Sequence, residues 1–142
     1  MKTDAKREDE NNTPPMMGSA VSAGFPSPAD DYAEGQLDLN DLLIKRPAAT
    51  FFVRVTGDSL IGAGIHERDL LVVDRSLEPE NGSIVVAIID GELTVKRLRR
   101  RRTGEGERLT LEAANSRYPA PELAPDSDAQ IWGVVTYAIH EL

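Results

Sequence analysis

SIVVAIIDGELTVKRL, residues 83–98, decides how this chain folds. A run rich in β-branched residues, Ile84 to Ile89, meets a second β-prone run across the dipeptide Asp90-Gly91. Asp-Gly between two such runs selects a two-residue type I′ turn, whose twist matches that of the flanking strands. Outward from this hairpin the β signals continue. TFFVRVT (50–56) alternates and stops at Gly57, and DLLVVD (69–74) reads as a short buried strand. RLTLEAA (108–114) and IWGVVTYAI (131–139) bring the total to about six strands. There is no βαβ rhythm, no internal repeat and no Gly-rich phosphate loop. The expectation is a mainly β domain, a compact twisted sheet or partly open barrel, with one short helix and a flexible N-terminal arm.

The helix belongs before the first strand. Asp38 can cap it, Leu39, Leu42 and Leu43 fall at helical spacing, and Pro47 is expected to end it. Residues 1–19 are polar, mixed in charge and interrupted by Pro14 and Pro15, so they are read as disordered. In residues 20–36, AVSAGFPSPADDYAEGQ, small residues with Pro26 and Pro28 favour an extended, exposed arm. The expected division is a tail and arm over 1–36 and a β-rich domain over 37–142.

Composition narrows the function. The 142 residues allow one domain and little else, and the formal charge of −8 repels phosphate backbones, so direct specific DNA binding is not expected. The chain has no cysteine, which removes disulfides, thiolate metal sites and cysteine nucleophiles. His66 and His140 are the only histidines. They are read as surface or turn residues; a His-rich metal site is ruled out, and no metal or cofactor is expected. No stretch approaches the roughly 20 apolar residues that cross a bilayer, and MKTDAKREDENNTPP does not read as a secretion signal. A cytoplasmic protein without a membrane partner is expected.

Two residues suggest chemistry. Ser59 sits in VTGDSLIGAG, where a strand stops and Gly57, Gly62 and Gly64 crowd a turn. Such a turn can point a side chain outward and converge backbone N–H groups on an anion. It also suits a serine that merely caps a turn, and the G-x-S-x-G elbow is not met because Ile61 stands at its second glycine. Lys96 lies in the second strand of the hairpin. A lysine can serve as a base when it has lost its proton. Alternation places it with Glu92, Thr94 and Leu98, a face that is equally readable as solvated. The run RLRRRR (97–102) reads as a solvated, charged hairpin end beside TGEGE, with a partner-protein contact left open. Asp30, Asp31 and Glu34 fit no metal-ligand spacing, and Trp132 and Tyr137 read as core or interface.

GFPSPADDY, LDLNDLLI, FFVRVTGDSL, DLLVVD and DGELTVKRL, in this order and spacing, resemble the LexA/UmuD family of self-cleaving regulators, from about Ala23 to the C-terminus. GFPSPADDY points to the UmuD branch. The resemblance implies a Ser-Lys dyad at Ser59 and Lys96, a dimerising β fold, and cleavage between Ala23 and Gly24. Leu60 stands where relatives have methionine, a volume-conserving exchange, and Ala23 stands where some have cysteine. Ahead of Ala23 the likeness fades, and the segment is too short for a helix-turn-helix repressor domain.

On that resemblance, neutral Lys96 takes the proton of Ser59, whose oxygen attacks the Ala23 carbonyl. The backbone N–H groups of Asp58 and Ser59 would hold the oxyanion, and water would release the acyl group. About 14 residues separate Gly24 from the helix, on the order of 45 Å when extended, so the arm can reach its own site or a partner's. The resemblance further implies self-cleavage promoted by a RecA–single-stranded DNA filament in the SOS response. The trimmed homodimer would then act as accessory subunit of a Y-family translesion polymerase. The alternative is an interaction module of the same fold with an inert dyad, regulating a partner through its tail.

Overall fold

The computed structural model describes residues 13–18, 20–21, 23–24, 33–58, 60–115 and 129–142. These fall into two units, Met1–Lys45 and Arg46–Leu142.

In the first unit, β1 (Pro15–Met17) runs antiparallel to β2 (Ala33–Gln36), with Pro15 opposite Gln36 and Met17 opposite Ala33. The Leu37 N–H donates to the Pro14 carbonyl at 2.9 Å and extends the pairing by one bond. The sequence reading differs here, since it leaves Pro15–Met17 within a disordered tail. A three-residue strand that begins at a proline is too short for alternation to show, so nothing local announces it. Helix α1 (Leu39–Leu43) starts as expected, with the Asp38 side chain accepting from the Asn40 N–H at 2.9 Å. It ends earlier than Pro47. Ile44 turns extended and returns its N–H to the Asn40 carbonyl, and Lys45 Nζ donates to the Asp41 carbonyl.

The second unit opens with a 3₁₀ turn, Pro47–Ala49, with the proline at its first position. Six strands follow: β3 (Thr50–Arg54), β4 (Leu70–Asp74), β5 (Ile84–Ile89), β6 (Glu92–Thr103), β7 (Gly106–Glu112) and β8 (Ala129–Ile139). They form one antiparallel sheet in the order β3-β4-β8-β5-β6-β7, open rather than closed into a barrel. The Asp90-Gly91 turn has φ values of 50° and 80°, positive at both central positions as a type I′ turn requires. The last strand of the chain, β8, inserts between β4 and β5.

Both faces of the sheet centre are covered, which is why its inner strands read as continuous apolar runs. Val55, Leu60, Ile65, Leu71, Val73 and Val86 form one buried cluster, joined by Val95, Trp132 and Val135. Val85, Ala87, Leu98, Leu111 and Val134 form the other. The arginine run lies along β6 and meets acids across the strand. Arg99 Nε reaches Glu112 Oε1 at 2.6 Å, and Arg100 Nε lies 3.8 Å from Glu107. It is a charged hairpin, as its flanking glutamates suggest.

Asp74 closes β4. Its buried carboxylate accepts from the Ser76 hydroxyl at 2.6 Å, the Ser76 N–H at 2.8 Å and Arg46 Nη1 at 3.2 Å. The Ser76 hydroxyl first, then the Ser76 N–H and the Arg46 charge, outweigh burial and hold the Asp74 carboxyl below its ordinary range. A depressed carboxylate stabilises the fold above the unfolded pKa of about 3.9, and that stabilisation is lost as pH falls through the lower folded value. Asp74→Asn is therefore expected to melt below wild type at neutral pH, with the gap narrowing under about pH 4. Thermal melts across that range measure it; a gap constant with pH would assign the loss to packing instead.

Candidate functional site

The turn after β3 is held at several points. The Val55 N–H donates to the Asp69 carbonyl and the Arg68 N–H to the Val55 carbonyl, both at 2.9 Å. Gly57 (φ 88°) lets the chain reverse. The Asp58 carbonyl accepts from the Ile61 N–H at 3.2 Å and from Asn115 Nδ2 at 3.0 Å. Leu60 is buried at 2% exposure. A 3₁₀ turn, Ile61–Ala63, follows, and its Gly62 N–H donates to the Ala114 carbonyl at 2.6 Å. A Cβ at Gly62 would collide with that carbonyl oxygen, so this contact requires glycine. The segment after β7 thus clamps the turn on both sides of position 59. Ser59 itself lies outside the described residues, and with it one of the two expected oxyanion donors.

Lys96 lies on β6 opposite Val85 and is half-buried. Residues opposite each other across an antiparallel pair share a face, and Val85 and Leu98 on that face are both fully buried. The lysine stem therefore runs over an apolar surface rather than a wholly solvated one. Its neighbour Val95 points the other way and packs into the cluster that contains Leu60. The residue after Ser59 and the residue before Lys96 thus enter one cluster. A groove of about 300 Å³ adjoins this cluster, lined by Val53, Val55, Thr56, Leu60, Thr94 and Val95 among others; Lys96 is not among its lining residues. β3 and β6 are not neighbours in the sheet. Both nonetheless line the groove.

Ala23 and Gly24 belong to the first unit and are exposed; in sequence they lie between β1 and β2. Asp30 and Asp31 lie outside the described residues, as does the Glu34 side chain. Trp132 joins the core as expected, with Phe51 at 5.2 Å between ring centroids and the Arg75 guanidinium 4.6 Å from its centre.

One constellation is absent from the sequence reading. His66 and His140 have 45% and 42% exposed side chains, in line with surface positions, yet both face the buried carboxylate of Asp69. His140 Nδ1 lies 2.6 Å from Asp69 Oδ1, and Asp69 Oδ2 accepts the His66 N–H at 2.8 Å. The imidazoles stack at 4.5 Å between centroids. Burial pushes the Asp69 carboxyl up, but the His66 N–H, the His140 hydrogen bond and the two imidazoles together hold it below the usual range. No local signal in the sequence marks the group; the pairing of Leu70 with Ile139 places residues 69 and 140 side by side.

Among the described residues no helix is long and apolar enough to cross a membrane. Residues 15–136 match the Peptidase S24-like family. Protein SamA of Salmonella typhimurium is 48% identical over 136 residues, 96% of this chain and 91% of that protein. Protein ImpA of Escherichia coli is 48% identical over 132 residues, covering 93% and 87%. Protein MucA of Escherichia coli is 44% identical over 128 residues, covering 89% and 84%. The likeness that five sequence motifs suggested extends over nearly the whole chain, and this protein belongs to the Peptidase S24-like family, as a serine-peptidase-type protein of the LexA/UmuD kind related to SOS mutagenesis.

Proposed function

We propose that the chain is a cytoplasmic self-cleaving regulator that cuts its own Ala23–Gly24 bond with a Ser59–Lys96 dyad. The observation that carries this reading is the shared packing of Leu60 and Val95, which ties the Ser59 turn to the Lys96 strand beside a groove. Lys96 in its neutral form accepts the Ser59 proton as the serine oxygen attacks the Ala23 carbonyl. The proton then passes to the leaving Gly24 amine, and water, deprotonated by the same lysine, hydrolyses the acyl-enzyme. Backbone N–H groups of Asp58 and Ser59 stabilise the oxyanion. In this scheme the arm docks at the dyad as an added strand, with a small side chain, Ala23, at the cut.

Cutting between β1 and β2 leaves the released segment held, among the described residues, by the few backbone bonds of a three-residue strand and the Leu37–Pro14 bond beside it. Such a short pairing does not hold two chains together in water, so the segment departs and uncovers β2. In this reading a RecA–single-stranded DNA filament promotes the cut, and the trimmed homodimer serves a Y-family translesion polymerase. The test is intact mass and N-terminal analysis of purified protein with and without RecA filaments. A species beginning at Gly24 is expected. A chain still uncut with filaments present leaves only the inert interaction module.

Dimerisation has its own support. β3 is an edge strand, and Phe52, Tyr137 and Ile139 expose 55%, 40% and 42% on one face of β3 and β8. Phe52 and Tyr137 both pair with Val72, and Ile139 with its face-mate Leu70, so they form one apolar strip. The double variant Phe52→Glu, Ile139→Glu is expected to sediment as a monomer at concentrations where the wild type is a dimer. An unchanged dimer would place the interface elsewhere.

A further inference from the structure

We propose that His66, Asp69 and His140 form a binding site for a divalent transition-metal ion of the zinc type, separate from the Ser-Lys chemistry. Each residue offers one ligand atom, and these atoms all lie within 4.8 Å of one another. Two imidazole nitrogens and one carboxylate oxygen suit borderline cations such as Zn²⁺, Ni²⁺ or Co²⁺; Ca²⁺ and Mg²⁺ prefer all-oxygen shells.

The carboxylate is the fixed point. Asp69 is 1% exposed, its carbonyl is taken by the Val55 N–H, and its own N–H donates to the His66 carbonyl at 3.1 Å. The imidazoles are the adjustable ligands, each on a half-exposed side chain. His66 Nδ1 is buried and has no hydrogen-bond partner among the described residues, although it lies 3.8 Å from Asp69 Oδ2. A buried ring nitrogen without a hydrogen-bond partner is costly, and a cation bound by it and by the carboxylate would satisfy it.

Spacing supports the same reading. Ligand atoms about 2.0–2.1 Å from a tetrahedral ion stand roughly 3.4 Å apart. His140 Nδ1 stands 2.6 Å from Asp69 Oδ1 and His66 Nδ1 stands 3.8 Å from the other carboxylate oxygen, Oδ2, so whichever oxygen is the ligand the rings must adjust to reach that spacing. Small rotations of the exposed rings reach it. Any proton shared by His140 and Asp69 leaves to solvent as the ion enters. The adjoining depression of about 370 Å³, lined by Arg54, Glu67, Arg68 and Glu141 with Asp69 and His140, gives room for a water in the open position. Arg54 Nη1 is engaged by the Arg68 carbonyl at 2.9 Å. A bound ion would tie the β8 terminus to the turn that anchors Val55, at the base of the Ser59 loop.

Calorimetry of the full, untagged chain with ZnCl₂ is the direct test. One ion per chain is expected, with a rise in Tm in Zn²⁺ and none in Mg²⁺. Co²⁺ should give the intense visible bands of a tetrahedral site. Asp69→Asn risks the fold, so the decisive variants are His66→Ala and His140→Ala, on half-exposed side chains. Each should weaken Zn²⁺ binding at least tenfold, and the double variant should lose the Tm rise while keeping the wild-type circular dichroism. No saturable Zn²⁺ binding by the wild type, or equal affinity in the double variant, would overturn the proposal. Because none of these readouts depends on cleavage, they stand or fall apart from the Ser-Lys reading.

Discussion

Purified Ser59→Ala is expected to stay at full mass from pH 7 to pH 10, while the wild type loses residues 1–23 at a rate that climbs with pH. Serine supplies the only oxygen that forms the acyl-enzyme in this scheme, so its loss leaves no partial route. The lysine is separable. General-base assistance is worth about 10²–10⁴-fold, and Lys96→Ala should lose at least that much. Lys96→Arg should lose as much, because a guanidinium keeps its charge and cannot accept the proton. The free amine is the active base in this scheme, so the wild-type rate should rise with pH. Each rate needs a melt beside it, so that a change in stability with pH is not read as chemistry. If Lys96→Ala cleaves like the wild type, or the rate is flat with pH, the base lies elsewhere; cleavage surviving in Ser59→Ala would remove the nucleophile as well.

The parts of this fold that could be read from the sequence are those encoded locally. The Asp90-Gly91 turn was legible because two successive positive φ angles restrict the residue choice. The strands were legible because a sheet buried on both faces needs unbroken apolar runs such as Ile84–Ile89. Strand order was not. β8 inserts between β4 and β5 through pairings at least forty residues distant in sequence, and period-2 alternation carries no record of its partner.

The same limit applies to the site. Alternation could place Lys96 with Leu98 but not decide whether that face meets water; only the covering by Val85 and Leu98 decides it. His66, Asp69 and His140 were invisible as a group because a register, Leu70 opposite Ile139, makes them neighbours. Even the pairing of Ser59 with Lys96 came from motif resemblance. The physical link now visible is one step removed from each residue, through Leu60 and Val95.

That link gives the second large effect. Leu60→Ala removes a side chain at 2% exposure from the cluster shared with Val86 and Val95. Large-to-small changes at such sites cost about 2–5 kcal/mol, and for a unit of roughly 100 residues each kcal/mol lowers Tm by about 4–8 °C. A fall of at least about 8 °C is expected on that scale. Leu60→Met, nearly equal in volume, should cost less than about 1.5 kcal/mol and keep cleavage. Stability and geometry separate at Gly62, whose added Cβ would strike the Ala114 carbonyl and break the 2.6 Å hydrogen bond there. Gly62 lies in the exposed 3₁₀ turn rather than the core, so Gly62→Ala should disturb the melt less than Leu60→Ala does. It displaces the loop that carries the nucleophile, and a misplacement of about 1 Å can cost about 10²-fold in rate. Cleavage that falls in proportion to stability in both variants would make the turn a passive part of the core. Cleavage that collapses in Gly62→Ala while the melt holds would make the Ala114 tether the element that aims Ser59 at its target.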